Sequence, residues 1–97
     1  MRAVIFHELA ESELNEASAY YAQARPDMED AFIAEVERAV VALTASPQAG
    51  TEVESDVRWW LVKRFPYSVL YRLCDDQIRV LAIAHQKRRP FYWRERR

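Results

Sequence analysis

Ninety-seven residues, 51% apolar and 30% charged, suffice for one small core and are too apolar for a disordered chain. A single glycine excludes phosphate-cradling loops and dinucleotide fingerprints, which need several glycines to bring backbone N–H groups to phosphates. The net charge of −1 hides a divided molecule: residues 1–55 carry 3 Lys+Arg against 11 Asp+Glu, and residues 56–97 carry 11 against 4.

Residues 2–6 form a short apolar run compatible with one strand. From Glu8 the period changes. Leu14, Ala17 and Tyr21, with Ala10 one turn earlier, make the stripe of an amphipathic helix, with Glu11, Glu13 and Glu16 expected on its wet side. Arg25-Pro26 interrupts it, because proline disfavours a helical residue before it and suits the first turn of the next helix. A second helix is expected over residues 27–45, with Phe32, Val36, Val40 and Leu43 inward and Glu29, Glu35 and Glu37 solvated. Ser46-Pro47-Gln48-Ala49-Gly50 stops it. So short a connection makes the two helices a hairpin.

Residues 51–56 read as a polar loop. Three β-rich runs follow, at 57–65, 67–73 and 77–85. Pro66 separates the first two because it cannot donate to a ladder, and Asp75-Asp76 is a candidate hairpin turn. Simple alternation in the last run puts Ile78, Val80, Ala82 and Ala84 on one face and Arg79, Leu81, Ile83 and His85 on the other. Both sets contain apolar residues, so this strand is expected to be central and covered on both faces. The expectation is one α+β domain over residues 1–97, ordered β-α-α-β-β-β, with the helical hairpin on a small, mostly antiparallel sheet.

Cys74 is the only cysteine, so no internal disulfide forms, which suits a reducing cytoplasm. With only His7 and His85 beside it, a dedicated zinc site is not expected. No apolar run is long enough to span a membrane, and MRAVIFHELAESEL has neither the apolar stretch nor the cleavage site of a signal peptide. A cytoplasmic protein is expected.

Two constellations carry candidate chemistry. Arg58, Lys63, Arg64 and Arg72 fall on adjacent strands, where they would grip phosphates or serve as solvated edge charge. By alternation Arg58, Trp60, Val62 and Arg64 share one face, and Lys63 lies on the other. The second is His85-Gln86-Lys87-Arg88-Arg89-Pro90-Phe91-Tyr92-Trp93. Its interleaved cations and rings suit single-stranded nucleic acid, and His85 and Tyr92 are candidate proton-transfer groups. The competing reading has His85 capping the sheet and Phe91 and Trp93 folding onto the core. Trp59 and Trp60 must point to opposite faces of their strand. No carboxylate pair, serine or cysteine stands in a recognisable catalytic context.

The whole ordered set resembles the RelE/ParE superfamily of bacterial toxins from type II toxin–antitoxin, or plasmid stabilisation, systems. The features that carry the resemblance are Tyr20-Tyr21 late in the first helix, Ser46-Pro47 after the second and Arg58 opening the next strand. Phe65-Pro66-Tyr67, Tyr71-Arg72 and Ala84-His85 before Arg88-Arg89-Pro90 complete it. The resemblance implies growth inhibition and a cognate antitoxin, with no cofactor, metal or small-molecule ligand. The Phe-Pro-Tyr turn and the His-x-x-Arg-Arg-Pro ending look more like ParE, a branch that binds and poisons DNA gyrase without catalysis. The alternative is a RelE-like, metal-independent endoribonuclease that cleaves mRNA on the ribosome. In that case Arg72, His85, Arg88 and Tyr92 lie near the family's catalytic positions. Arg58, Lys63, Arg64, Lys87, Arg89, Phe91 and Trp93 are expected to bind target or antitoxin.

Overall fold

The computed structural model describes residues 2–97. The chain runs β1 (Ala3–Phe6), α1 (Glu8–Ala24), α2 (Pro26–Ala45), β2 (Thr51–Glu54), β3 (Val57–Leu61), β4 (Tyr67–Cys74) and β5 (Gln77–His85). One mixed sheet has the order β1-β5-β4-β3-β2. β1 lies parallel to β5, and the other neighbours are antiparallel. No helix is long and apolar enough to cross a membrane.

His7 starts α1: its Nδ1 accepts a hydrogen bond from the Leu9 N–H at 3.0 Å, filling one of the helix's open donors. The Arg25 N–H closes the helix on the Tyr21 carbonyl, and Pro26 opens α2 at once. The hairpin lays Ala10, Ala17, Phe32, Val36, Ala39 and Leu43 on one face of the sheet, against Val69, Tyr71, Ile78, Val80 and Ile83. Ala39 takes the fully buried place expected of Val40, which is half-buried. Tyr21, Phe32, Phe65 and Tyr67 pack edge-to-face or tilted, with ring centroids 5.1 to 5.3 Å apart, and seal the end of this core.

The 46–50 turn is tied to the same face. The Tyr71 hydroxyl donates to the Pro47 carbonyl at 2.7 Å, and Arg58 Nη1 donates to the carbonyls of Gln48 and Gly50 at 3.1 and 2.8 Å. Tyr71 comes so close to Gly50 that a Cβ there would run into its hydroxyl, so glycine is required for space. Burial raises the Tyr71 pKa.

Three readings are corrected. Residues 51–54 are an edge strand: Val53 reaches the sheet's second core while Glu52 stays exposed, a thin apolar signal among polar neighbours. β3 ends at Leu61, four residues early. Val62 turns inward to 2% exposure, and Arg64 adopts φ 73°, so Lys63 and Arg64 sit on a loop. β5 does not alternate throughout, because a bulge opposite Leu70 and Tyr71 leaves Leu81 unpaired on the β4 side. Leu81 and Ala82 therefore face the second core together. Beyond them Ile83 faces the helices, and Ala84 faces away.

The sheet face turned away from the helices is covered by the C-terminal tail. Trp93, 5% exposed, packs there with Val57, Leu70, Leu81 and Ala82. Trp60 lies under the helices and Trp59 under the tail, as their opposite directions require.

Candidate functional site

The tail leaves β5 through a series of tight turns. The N–H groups of Arg88, Tyr92, Arg94 and Arg96 each donate to the carbonyl three residues back. Phe91 adopts φ 61°, which reverses the chain so that Tyr92 and Trp93 return to the sheet while Phe91 stays 41% exposed.

What anchors the tail is Glu13. β1 stops pairing at Phe6, opposite Val80, which leaves the edge of β5 open from Leu81 onward. Glu13 reaches that edge from α1: Oε1 accepts from the Ile83 N–H at 3.0 Å and from Arg96 Nη1 at 2.9 Å. Oε2 accepts from the Tyr92 hydroxyl at 2.8 Å and from Arg96 Nη2 at 3.1 Å. Arg96 Nη1 also donates to the Leu81 carbonyl at 3.0 Å. The Glu13 and Arg96 side chains are 12% and 11% exposed, so this is a nearly buried, bidentate pair with its remaining bonds filled. Arg88 lies with its guanidinium 3.9 Å from the centre of the Tyr92 ring and 3.8 Å from Glu13. Burial, then the hydrogen bond and negative charge of Glu13, hold the Tyr92 hydroxyl far above the ordinary tyrosine pKa; Arg88 and Arg96 offset this in part.

Sequence placed Glu13 on the wet side, and that is corrected. Glu13 lies three residues after Ala10 and four before Ala17, both buried, so the helical repeat itself carried the signal.

The four residues proposed for catalysis are not assembled. Arg72 faces the tail side, opposite Val57 and Arg79, and is paired to Asp56 at 3.1 Å. His85 pairs with Tyr67 at the other end of the same ladder, with its ring 5.1 Å from that of Tyr67. Arg72 lies five steps along the strand from Tyr67, about 17 Å at the usual rise of about 3.3 Å. Tyr92 is held by Glu13, and only Arg88 stands near both Tyr92 and His85.

Of the residues expected to bind, Arg58 is used by the 46–50 turn and Trp93 is buried in the second core. Both are removed from the exposed set by the bonds and packing they make. Lys63, Arg64, Lys87, Arg89 and Phe91 are exposed. Two open spaces flank the tail. A cleft of about 570 Å³ lies between α1 and the sheet end, lined by Tyr20, Tyr21, Arg25, Tyr67, His85 and Arg88. A groove of about 610 Å³ on the tail face is lined by Val53, Trp59, Leu61, Leu70, Phe91 and Trp93, with Arg88 at its rim. Among the described residues no cluster of His, Cys, Asp and Glu is able to hold a metal ion.

A two-helix hairpin on a five-stranded sheet, with a basic tail folded over the far face, defines a small toxin of the RelE/ParE class. The family described as the ParE toxin of the type II toxin–antitoxin system parDE matches residues 4–90, and the chain belongs to that family. It is 31% identical over 90 residues to toxin ParE2 of Mycobacterium tuberculosis, in strains CDC 1551/Oshkosh and H37Rv. The match covers 92% of this chain and 86% of the relative. A structure described as the chromosomal ParDE TA system from P. aeruginosa shares the fold, with a TM-score of 0.74 and 19% identity over 88% of this chain and 96% of that one. The chain is thus the toxin component of a type II toxin–antitoxin system.

Proposed function

We propose that this toxin arrests growth in the cytoplasm by binding DNA gyrase, and that it does no chemistry of its own. The observation that carries this reading is the dispersal of the catalytic candidates. General acid–base catalysis needs its groups within hydrogen-bond reach of one reacting centre. Here Arg72 is distant and salt-bridged, and the Tyr92 hydroxyl donates a hydrogen bond to Glu13 and keeps its proton more tightly than an ordinary tyrosine.

The groove on the tail face is the antitoxin's seat in this reading. It is apolar along Val53, Trp59, Leu61 and Phe91, with Glu52 and Arg88 as its charged lining residues, which suits the apolar face of an amphipathic segment that folds on binding. Leu61 and Phe91, 49% and 41% exposed, are the side chains such a segment would cover.

The test pairs two readouts. His85→Ala and Tyr92→Phe are expected to leave inhibition of purified gyrase supercoiling within about twofold of wild type. Induced cells are expected to show DNA damage with intact mRNA. Rapid mRNA cleavage that both variants abolish would establish the ribonuclease reading instead. Truncation after Pro90 is a poor probe, since it removes Trp93 and Arg96 and so takes away core and anchor together. Leu61→Asp, at an exposed side chain outside both cores, probes antitoxin capture without touching either.

A further inference from the structure

Most arginines of the basic half are already engaged. Arg58 holds carbonyls, Arg72 holds Asp56, Arg94 holds Glu54, Arg96 holds Glu13, and Arg79 Nη2 donates to the Arg97 carbonyl at 2.6 Å. Lys63, Arg64, Lys87 and Arg89 differ. All four are exposed, and none makes an ion pair or side-chain hydrogen bond among the described residues. They belong to two loops that the fold places side by side. Tyr67 pairs with His85, and the Gln86 N–H donates to the Pro66 carbonyl at 2.8 Å, so the 62–66 loop and the 86–89 turn form one tip of the sheet.

We infer that this tip grips the phosphate backbone of DNA, and with it the DNA held by the target enzyme. The inference rests on the gyrase reading for the choice of DNA. The chemistry comes from the tip itself. Strands about 4.8 Å apart put the β3 and β5 ends about 10 Å apart, the axial rise of roughly three nucleotides in one strand of a duplex. None of the large exposed apolar side chains lies in either loop. A protein interface is built on a desolvated apolar or aromatic centre, whereas contacts to a nucleic-acid backbone are polar, with Lys and Arg prominent among them, and need no such centre. The apolar groove and the bare cationic tip therefore suit different partners.

The test is fluorescence anisotropy of the whole toxin with a labelled DNA duplex, an RNA duplex of the same sequence as a second arm. Four phosphate contacts predict a loss of affinity of about 10²-fold between 50 and 200 mM salt. The variant Lys63→Glu/Arg64→Glu/Lys87→Glu/Arg89→Glu is expected to lose binding at 100 mM salt by at least about 10²-fold, with an unchanged melting temperature. Arg72→Ala is expected to bind as wild type does. No DNA binding at 50 mM salt, equal loss from Arg72→Ala, or tighter binding of RNA overturns the inference. So does a tip variant that loses only the antitoxin. Gyrase inhibition by wild type without DNA binding sinks this inference alone. DNA binding without gyrase inhibition leaves the tip assigned and removes the gyrase reading.

Discussion

Arg96 of the anchored tail and Lys87 and Arg89 of the sheet tip come from one short stretch of sequence and do opposite work. Arg96 is nearly buried, bidentate to Glu13 and bonded to a strand carbonyl, whereas the exposed side chains of Lys87 and Arg89, a few residues earlier, make no ion pair or hydrogen bond among the described residues. Net charge alone does not separate them. What separates them is the open edge of β5, which offers a carbonyl and an N–H that only side chains are placed to satisfy. Charge near that edge becomes structure, and charge beyond it stays available to a partner.

The largest test of this contrast is Glu13→Ala. It strands the Arg96 cation, the Tyr92 hydroxyl and the Ile83 N–H at once, and breaking one side of a buried pair costs about 3–5 kcal/mol. Urea unfolding monitored by tryptophan fluorescence, with Trp93 packed under the tail, should show a loss of that size. A loss below about 1 kcal/mol would mean the tail is held by Trp93 and its apolar contacts alone.

Tyr92→Phe is the next step down. Removing a hydrogen bond to a charged acceptor costs about 1.5–3 kcal/mol, since Glu13 keeps its other donors. The same bond gives a pH dependence. Tyr92 has a folded pKa raised above the unfolded value of about 10, so the folded state keeps its proton longer. That contribution is complete below pH of about 10 and is lost as the pH rises toward the folded value. Tyr21, Tyr67 and Tyr71, raised chiefly by burial, add to the same trend. Wild-type stability should therefore fall with rising pH above about 10, and Tyr92→Phe should fall less steeply.

How much of this was legible follows from which signals are local. The two helices, their Pro26 junction and the opposite fates of Trp59 and Trp60 are written in period and turn chemistry, and each formed where expected. The β5 bulge is not local. It depends on β4 opposite, and nothing in the run Arg79-Val80-Leu81-Ala82 distinguishes a bulge from simple alternation. β2 looks like a polar loop in sequence because an edge strand with one apolar residue has almost no pattern to display. Glu13 was misplaced by the habit of sending acids to water, although Ala10 and Ala17 mark its stripe as the buried one. That Lys63, Arg64, Lys87 and Arg89 are exposed is legible from residue type. Which cations remained free depended on partners distant in sequence, such as Glu54 for Arg94 and Asp56 for Arg72.

Arg64→Gly asks for less. Arg64 holds φ 73°, a region that costs an L-residue about 1–2 kcal/mol, and glycine's extra freedom in the unfolded chain returns about 0.5–1 kcal/mol of that gain. The net expectation is stabilisation of up to about 1 kcal/mol, together with weaker DNA binding because one of the tip's cations is gone. Stability bought by losing a binding residue is the signature of a loop kept for its contacts.

The smallest expected effect is on the free cations themselves. Lys87→Ala and Arg89→Ala remove exposed side chains that make no ion pair or hydrogen bond among the described residues, so unfolding free energies should stay within about 0.5 kcal/mol of wild type. DNA affinity, by contrast, should drop severalfold for each, and the salt slope should flatten by about one unit per cation removed. The contrast with Glu13→Ala is then complete in both directions: the anchor moves stability, and the tip moves binding at constant stability. If either substitution at the tip destabilises the fold by more than about 1 kcal/mol, that side chain has a structural partner, and the line between spent and available charge must be drawn further along the 86–89 turn.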